Sequence, residues 1–163
     1  MRYHNITKDD MLNGDGLRAV LWVAGCAHAC EECQNPVTWD INGGLLFDED
    51  AKKELFSELS KPYISGVTMS GGDPLHPANR ADMGSLIEEV KNTFPGKTIW
   101  LYTGYLWEDI KDLPFVKNID ILVDGKYDRH LADHKLKWKG SSNQRVVNVP
   151  ESLRLCQVCI YNK

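Results

Sequence analysis

GVTMSGGDPLHPANRADMGSLIEEVKNTFPGKTIWLYT, residues 66–103, contains a complete strand–helix–strand unit. Gly66–Ser70 is a short strand that ends in the pair Gly71-Gly72. From Asn79 to Phe94, the residues Met83, Leu86, Ile87, Val90 and Phe94 fall on one helical face, and Pro95-Gly96 stops the pattern. Thr98–Thr103 then reads as a β-branched and aromatic strand.

The same alternation continues in both directions. Upstream, Leu17–Val23 is an apolar run broken only by Arg18, and Asp48–Ser60 carries Leu55, Phe56 and Leu59 at helical spacing behind Asp48 as its cap. Downstream come a short helix over Leu106–Leu113, a strand over Ile119–Val123 and a last strand over Arg145–Val149. Strands and helices in strict turn predict an α/β protein with a parallel sheet covered by helices. The 163 residues support one domain, with a core over residues 10–150 and a C-terminal tail over 151–163. Four or five such units fall short of the closed eight-strand barrel, which takes about 250 residues. The expected architecture is an open partial (β/α) barrel with its helices outside.

In such folds ligands bind where strands end. The positions following the successive strands are Gly25-Cys26, Gly71-Gly72-Asp73, Thr103-Gly104-Tyr105 and Asp124-Gly125-Lys126. Every unusual cluster of residues except the terminal cysteine pair falls near that one rim.

Composition narrows the class. Apolar residues make up 42% and charged residues 26%, and the net charge is -4, so no basic field points to nucleic acid. No apolar run approaches the ~18–20 residues of a membrane span. Met1-Arg2-Tyr3-His4-Asn5 lacks an apolar h-region, which sets aside a cleaved secretion signal and makes the cytoplasm the expected location.

The five cysteines are an odd number in a chain read as intracellular, which argues against a disulfide framework. Cys26, Cys30 and Cys33 form a C-x3-C-x2-C run. Three thiolates at this spacing can hold three corners of an iron–sulfur cube, whereas electron carriers generally use four. The set of three leaves one iron open for substrate chemistry. Two other readings stand beside it. Three cysteines at i, i+4 and i+7 can be the buried stripe of a helix. Alternatively, Cys30/Cys33 and Cys156/Cys159 are two C-x2-C pairs that could build a four-thiolate zinc site, giving a non-catalytic binding module and leaving Cys26 unexplained.

At this loop the sequence resembles the radical S-adenosylmethionine enzymes. Asn13-Gly14-Asp15-Gly16-Leu17-Arg18, running through Trp22 to Gly25-Cys26, is similar to the entry segment of glycyl-radical-enzyme activases. The closest group activates the anaerobic (class III) ribonucleotide reductase. The features shared with it are Asn35-Pro36, Gly71-Gly72-Asp73-Pro74, Leu101-Tyr102-Thr103-Gly104-Tyr105, Asp124-Gly125-Lys126-Tyr127 and Gly140-Ser141-Ser142-Asn143-Gln144-Arg145. An activase of another glycyl radical enzyme, of the formate-lyase type, is the alternative within the class. Three features depart from the pattern: Asp15 stands where Pro is frequent, Glu32 where an aromatic often packs on adenine, and the pair Cys156/Cys159 lies outside the shared motifs.

The resemblance implies a radical S-adenosylmethionine oxidoreductase. Its 4Fe–4S cluster would be held by Cys26, Cys30 and Cys33, and its open iron would take the amino and carboxylate groups of S-adenosylmethionine. It implies cofactor contacts from Glu32 and Gln34 through their backbones and from Gly71 and Gly72 through backbone oxygens. Asp73 would be a carboxylate near the amino group, Asp124 and Lys126 would meet the ribose and carboxylate, and Thr103 and the Asn143-Gln144-Arg145 run would line the site. The implied partners are the reductase and a one-electron donor such as reduced flavodoxin, with a homodimer open. Each of the polar turns also has an ordinary reading as loop structure. Arg18 is placed either steadying the N-terminal segment or at a polar end of the ligand. His28 is read as a loop residue that hydrogen-bonds near the cluster, and Cys156/Cys159 as a metal half-site, a redox pair, a docking element or a tail without function.

Overall fold

The computed structural model describes residues 1–162. Seven strands form one mixed sheet: β1 (Arg2–Asp10), β2 (Arg18–Val23), β3 (Leu45–Leu46), β4 (Gly66–Gly71), β5 (Thr98–Tyr102), β6 (Ile121–Asp124) and β7 (Arg145–Asn148). Their order across the sheet is β3-β1-β2-β4-β5-β6-β7. Four helices accompany them: α1 (Glu49–Leu59), α2 (Arg80–Thr93), α3 (Trp107–Ile110) and α4 (Val149–Leu155). None of the helices among these residues is long and apolar enough to cross a membrane.

The centre of the sheet agrees with the sequence reading. β2, β4, β5 and β6 pair in parallel, each reached through a crossover. Asp48 caps α1 as anticipated, its carboxylate accepting from the Ala51 N–H at 2.9 Å. Strand residues alternate between two faces. Ala19, Leu21 and Val23 of β2, Val67 and Met69 of β4, and Ile99 and Leu101 of β5 pack with Leu55 and Leu59 of α1 and Met83, Leu86, Ile87 and Val90 of α2. The alternate positions Trp100, Ile121, Val123 and Val146 form a second, smaller cluster with Trp138 and Tyr161. That second face is covered by loop and tail residues instead of helices.

The expectation of an all-parallel sheet is corrected at both edges. β7 runs antiparallel to β6 because residues 125–144 contain only a 3-10 turn, Arg129–Leu131, and no helix to return the chain to the far end. β1 is antiparallel to β2 and had not been read as a strand. Its only buried apolar residues, Tyr3 and Ile6, lie three apart because the register shifts between Tyr3 and Asn5, which breaks the period-2 signal. α3 is a single turn, shorter than the Leu106–Leu113 helix expected. The start of the tail forms α4, capped by Asn148 accepting from the Glu151 N–H and carrying Pro in its first turn. The chain then returns along β7, with the Tyr161 N–H donating to the Val146 carbonyl at 2.8 Å.

One side chain binds the start of three parallel strands together. Arg18 has no exposed surface. Its Nε donates to Thr68 Oγ1 at 2.9 Å, Nη1 to Asp15 O and Thr98 Oγ1, and Nη2 to Val67 O and Thr98 O. Every guanidinium N–H therefore has an acceptor. The group also lies over the Trp100 ring at 5.5 Å. Burial lowers its pKa to about 10, with Asp120 and other nearby groups opposing the shift in part. Arg18 sits at the amino ends of β2, β4 and β5, opposite the rim that follows their carboxyl ends, so its role is to hold the entry segment and not to touch a ligand at that rim.

Replacing Arg18 with Met should leave the two threonines and three carbonyls short of donors. We expect a loss of about 2–4 kcal/mol of unfolding free energy in a urea titration. An Arg18→Met chain as stable as the native one would show that this cluster is not a clamp.

Candidate functional site

The parallel pairing of β2 with β4 ends with Val23 opposite Gly71, which brings the two following loops side by side. Backbone bonds then join them: Gly72 N–H to Val23 O at 2.9 Å, and Asp73 N–H to Gly25 O at 2.7 Å. On its other flank the cysteine loop is bonded to the 3-10 turn Pro36–Thr38, with Gly25 N–H to Thr38 O at 2.7 Å and Cys26 N–H to Trp39 O at 3.1 Å. The buried Asn79 amide, just before α2, donates to Ala24 O at 2.8 Å.

This weave explains the glycine pair. Gly71 has φ +109, and a Cβ there would lie 2.4 Å from Val23 N. A Cβ on Gly72 would lie 2.6 Å from Gly25 O and 2.7 Å from Thr38 O. Close approach is therefore required, as the sequence suggested, but what approaches Gly72 is the backbone of the cysteine loop itself.

Cys26, Cys30 and Cys33 are free thiols, each partly buried, and all three line one cavity of about 430 Å³. The stripe reading fails, because residues 26–33 form loop and turn instead of helix. The same cavity wall carries Gln34, Gly71, Gly72, Asp73, Thr103 and Lys126. Burial, with a smaller contribution from Asp73, pushes the Cys26 thiol up. A bound cation is what would favour its thiolate. Among the described residues no three Cys, His, Asp or Glu groups are gathered tightly enough for a single ion. Three thiols spread around one cavity suit a multi-iron cluster, which takes its thiolates at separate irons. Cys156 and Cys159 do not line this cavity, so the two C-x2-C pairs are not assembled into a four-thiolate site. A more open hollow of about 740 Å³, bordered by Lys137, Trp138, Arg145 and Tyr161, contains none of the cysteines or turn glycines.

The remaining predicted residues divide. Thr103 is buried, and its hydroxyl donates to the Asp73 carboxylate at 2.9 Å. Asp73 itself is 1% exposed and accepts from Leu75 N–H at 2.9 Å, Gly104 N–H at 3.0 Å and His28 Nε2 at 2.6 Å besides Thr103. Glu32 is not on the cavity wall. It has φ +57, and its carboxylate meets Arg129 at 3.3 Å, while Glu31 meets the same guanidinium at 3.2 Å. Asp124 is fully buried and faces elsewhere: it accepts from Arg145 Nε at 3.1 Å and from Trp107 N–H at 2.8 Å, the first residue of α3. Asp124 and Glu108 together raise the Arg145 pKa further above its ordinary value. Of the Asp124/Lys126 pair, the structure brings only Lys126 to the cavity.

Two further residues of the cavity wall are defined by their partners in the structure. Gln144 lines the cavity and fastens its far wall, accepting from Gly140 N–H at 2.9 Å and donating to Gly125 O at 3.0 Å. His28, expected to hydrogen-bond near the cysteine loop, does so with Asp73, a partner 45 positions away. Nothing local in the sequence identifies such a contact.

Comparison with known proteins agrees with this geometry. Residues 12–147 match the family model of the 4Fe-4S single cluster domain. The chain is 51% identical over 146 residues to the anaerobic ribonucleoside-triphosphate reductase-activating protein of Enterobacteria phage T4, covering 90% of this chain and 93% of that protein. It is 41% identical over 150 residues to the protein of that name from Salmonella typhi and 40% identical over 150 residues to that from Escherichia coli K12, each alignment covering 90% of this chain and 97% of the relative. With the cysteine loop and its cavity lying inside the matched span, and similarity reaching over nearly the whole of each chain, this protein belongs to the family of anaerobic ribonucleoside-triphosphate reductase-activating proteins.

Proposed function

We propose that the chain activates an anaerobic ribonucleoside-triphosphate reductase by reductive cleavage of S-adenosylmethionine at a 4Fe–4S cluster, leaving a radical on a glycine of the reductase. The observation that carries this reading is the shared cavity. Cys26, Cys30 and Cys33 face the space that the Gly71-Gly72 turn also borders. When bound, the cluster would pass one electron to S-adenosylmethionine, whose carbon–sulfur bond would break to give methionine and a 5′-deoxyadenosyl radical that takes a hydrogen atom from the glycine Cα and leaves as 5′-deoxyadenosine.

The chain's own residues hold and shield. The three thiols are the ligands, and partial burial limits access of water to them. The turn at Gly71-Gly72 keeps backbone groups on the cavity wall, where a carbonyl can accept from an amino group. Lys126 is a cation on the same wall, placed to pair with a carboxylate. The helix-free face of the sheet supports a partial-barrel curl, with one side left for a macromolecule to close. A cavity of about 430 Å³ is in the size range of small-molecule and cofactor sites. A reduced flavodoxin as donor, a homodimer and a cytoplasmic setting belong to the same reading. Zinc binding by the two C-x2-C pairs is less well supported, because the tail pair lies off this wall.

Single Cys26→Ala, Cys30→Ala or Cys33→Ala changes should abolish cluster assembly and S-adenosylmethionine cleavage, and Cys156→Ala or Cys159→Ala should preserve both. Iron and sulfide analysis of anaerobically reconstituted protein checks this. Loss of metal from a tail variant, with metal retained in Cys26→Ala, would replace this reading with the zinc site.

Gly72→Ala should disturb the cysteine loop as well as the turn, since its Cβ meets two carbonyl oxygens. We expect a destabilisation of about 1–3 kcal/mol and poor cluster loading. Native iron content and stability in that variant would contradict the close approach.

Activity provides the direct test. With dithionite and S-adenosylmethionine, the reconstituted protein should release methionine and 5′-deoxyadenosine, and with the reductase present it should produce a glycyl doublet by electron paramagnetic resonance. A verified cluster with no cleavage would overturn the proposal.

A further inference from the structure

The carboxylate of Asp73 has the position expected of a cofactor contact but not the free acceptors. Oδ1 receives Leu75 N–H at 2.9 Å, Oδ2 receives Gly104 N–H at 3.0 Å and His28 Nε2 at 2.6 Å, and the Thr103 hydroxyl lies between the two oxygens at 2.9 and 3.0 Å. A carboxylate offers about four lone-pair sites, and here four protein donors meet it. The bond from Leu75 N–H, two residues on, needs the short side chain of Asp. Because an ionised carboxylate only accepts, His28 presents N–H at Nε2.

His28 is built into the same node. Its side chain is 9% exposed. Its ring meets Tyr105 edge-on, with centroids 4.7 Å apart at 71°. It also lies against Gly104, where a Cβ would come within 2.5 Å of His28 Cδ2. The rest of its loop is thinly held. Ala29 and Glu32 have φ +50 and +57, Cys33 N–H bonds back only to Cys30 O, and the Arg129 contacts of Glu31 and Glu32 lie at the surface. Such surface pairs contribute little. His28, between two of the cysteines, is thus a buried side-chain tie from the cysteine loop to the ends of β4 and β5, beyond the backbone bonds at Gly25.

We propose that Asp73 acts on the cofactor site through His28, as the anchor that fixes the cysteine loop against the Gly71-Gly72 turn, and not as a ligand of its own. Both are positioning residues for the three thiols. The inference rests on the cluster reading above and adds a division of labour within it: cofactor contacts at the turn come from backbone, and the turn's one carboxylate is spent on the loop.

The test uses reconstituted holoprotein and two measurements, S-adenosylmethionine affinity and the rate at which bathophenanthroline disulfonate strips iron. Asp73→Asn, His28→Ala and the double variant are compared. As an anchor, each single change weakens affinity and speeds iron loss by about ten- to a hundredfold, and the double variant is no worse than the singles. His28→Gln, whose amide N–H stands near the position of Nε2, restores both readouts. If His28→Ala fails to load a cluster, the same His28→Gln variant decides by regaining or not regaining loading. The proposal is overturned if Asp73→Asn loses affinity with native iron retention while His28→Ala binds normally. It is also overturned if the two losses add, or if His28→Gln is no better than His28→Ala. Failure of the native holoprotein to bind S-adenosylmethionine would instead count against the cluster reading itself.

Discussion

The parallel register between β2 and β4 is the constraint on which the rest depends. Pairing runs from Arg18 opposite Gly66 to Val23 opposite Gly71. It leaves the cysteine loop and the glycine turn leaving the sheet at the same height, close enough for Asp73 N–H to reach Gly25 O. A shift of one residue would turn each β2 side chain to the opposite face and separate the loops. The glycines follow from this closeness, since a side chain at either Gly71 or Gly72 would strike backbone atoms of the neighbouring segment.

The two ends of the strands are stabilised by opposite means. At the amino ends a buried cation, Arg18, donates to hydroxyls and carbonyls on β4 and β5 and to the entry loop. At the carboxyl ends a buried anion, Asp73, accepts from its own turn, from the end of β5 and from the cysteine loop. Both satisfy the cost of burial through many directional bonds, which is the condition under which a buried charge is tolerated.

The basic residues nearby have different roles. Arg145 is committed to Asp124 and Glu108, which fastens β7 and the start of α3. Lys126 remains on the cavity wall. Arg129 reaches Glu31 and Glu32 across the mouth of the cysteine loop from the long 125–144 connection. Of the pair Asp124 and Lys126, Lys126 stands on the cavity wall while Asp124 accepts from Trp107 N–H, because β6 ends at Asp124 with the side chain turned toward α3.

The sequence by itself determined the α/β alternation, the four parallel central strands and the C-x3-C-x2-C loop at their rim, because strand and helix periodicity, capping and ligand spacing are local patterns. It could not reveal β1, whose alternation is broken by a register shift, or the direction of β7, which depends on what the 125–144 connection does in space. Only the tertiary structure decided which polar residues face the cavity. Arg18 and Asp124 are buried away from it, and the acceptors of Asp73 are taken by His28, Thr103 and Gly104 from distant parts of the chain. Orientation and hydrogen-bond partners of this kind are set by contacts between residues far apart in sequence, which no local pattern encodes.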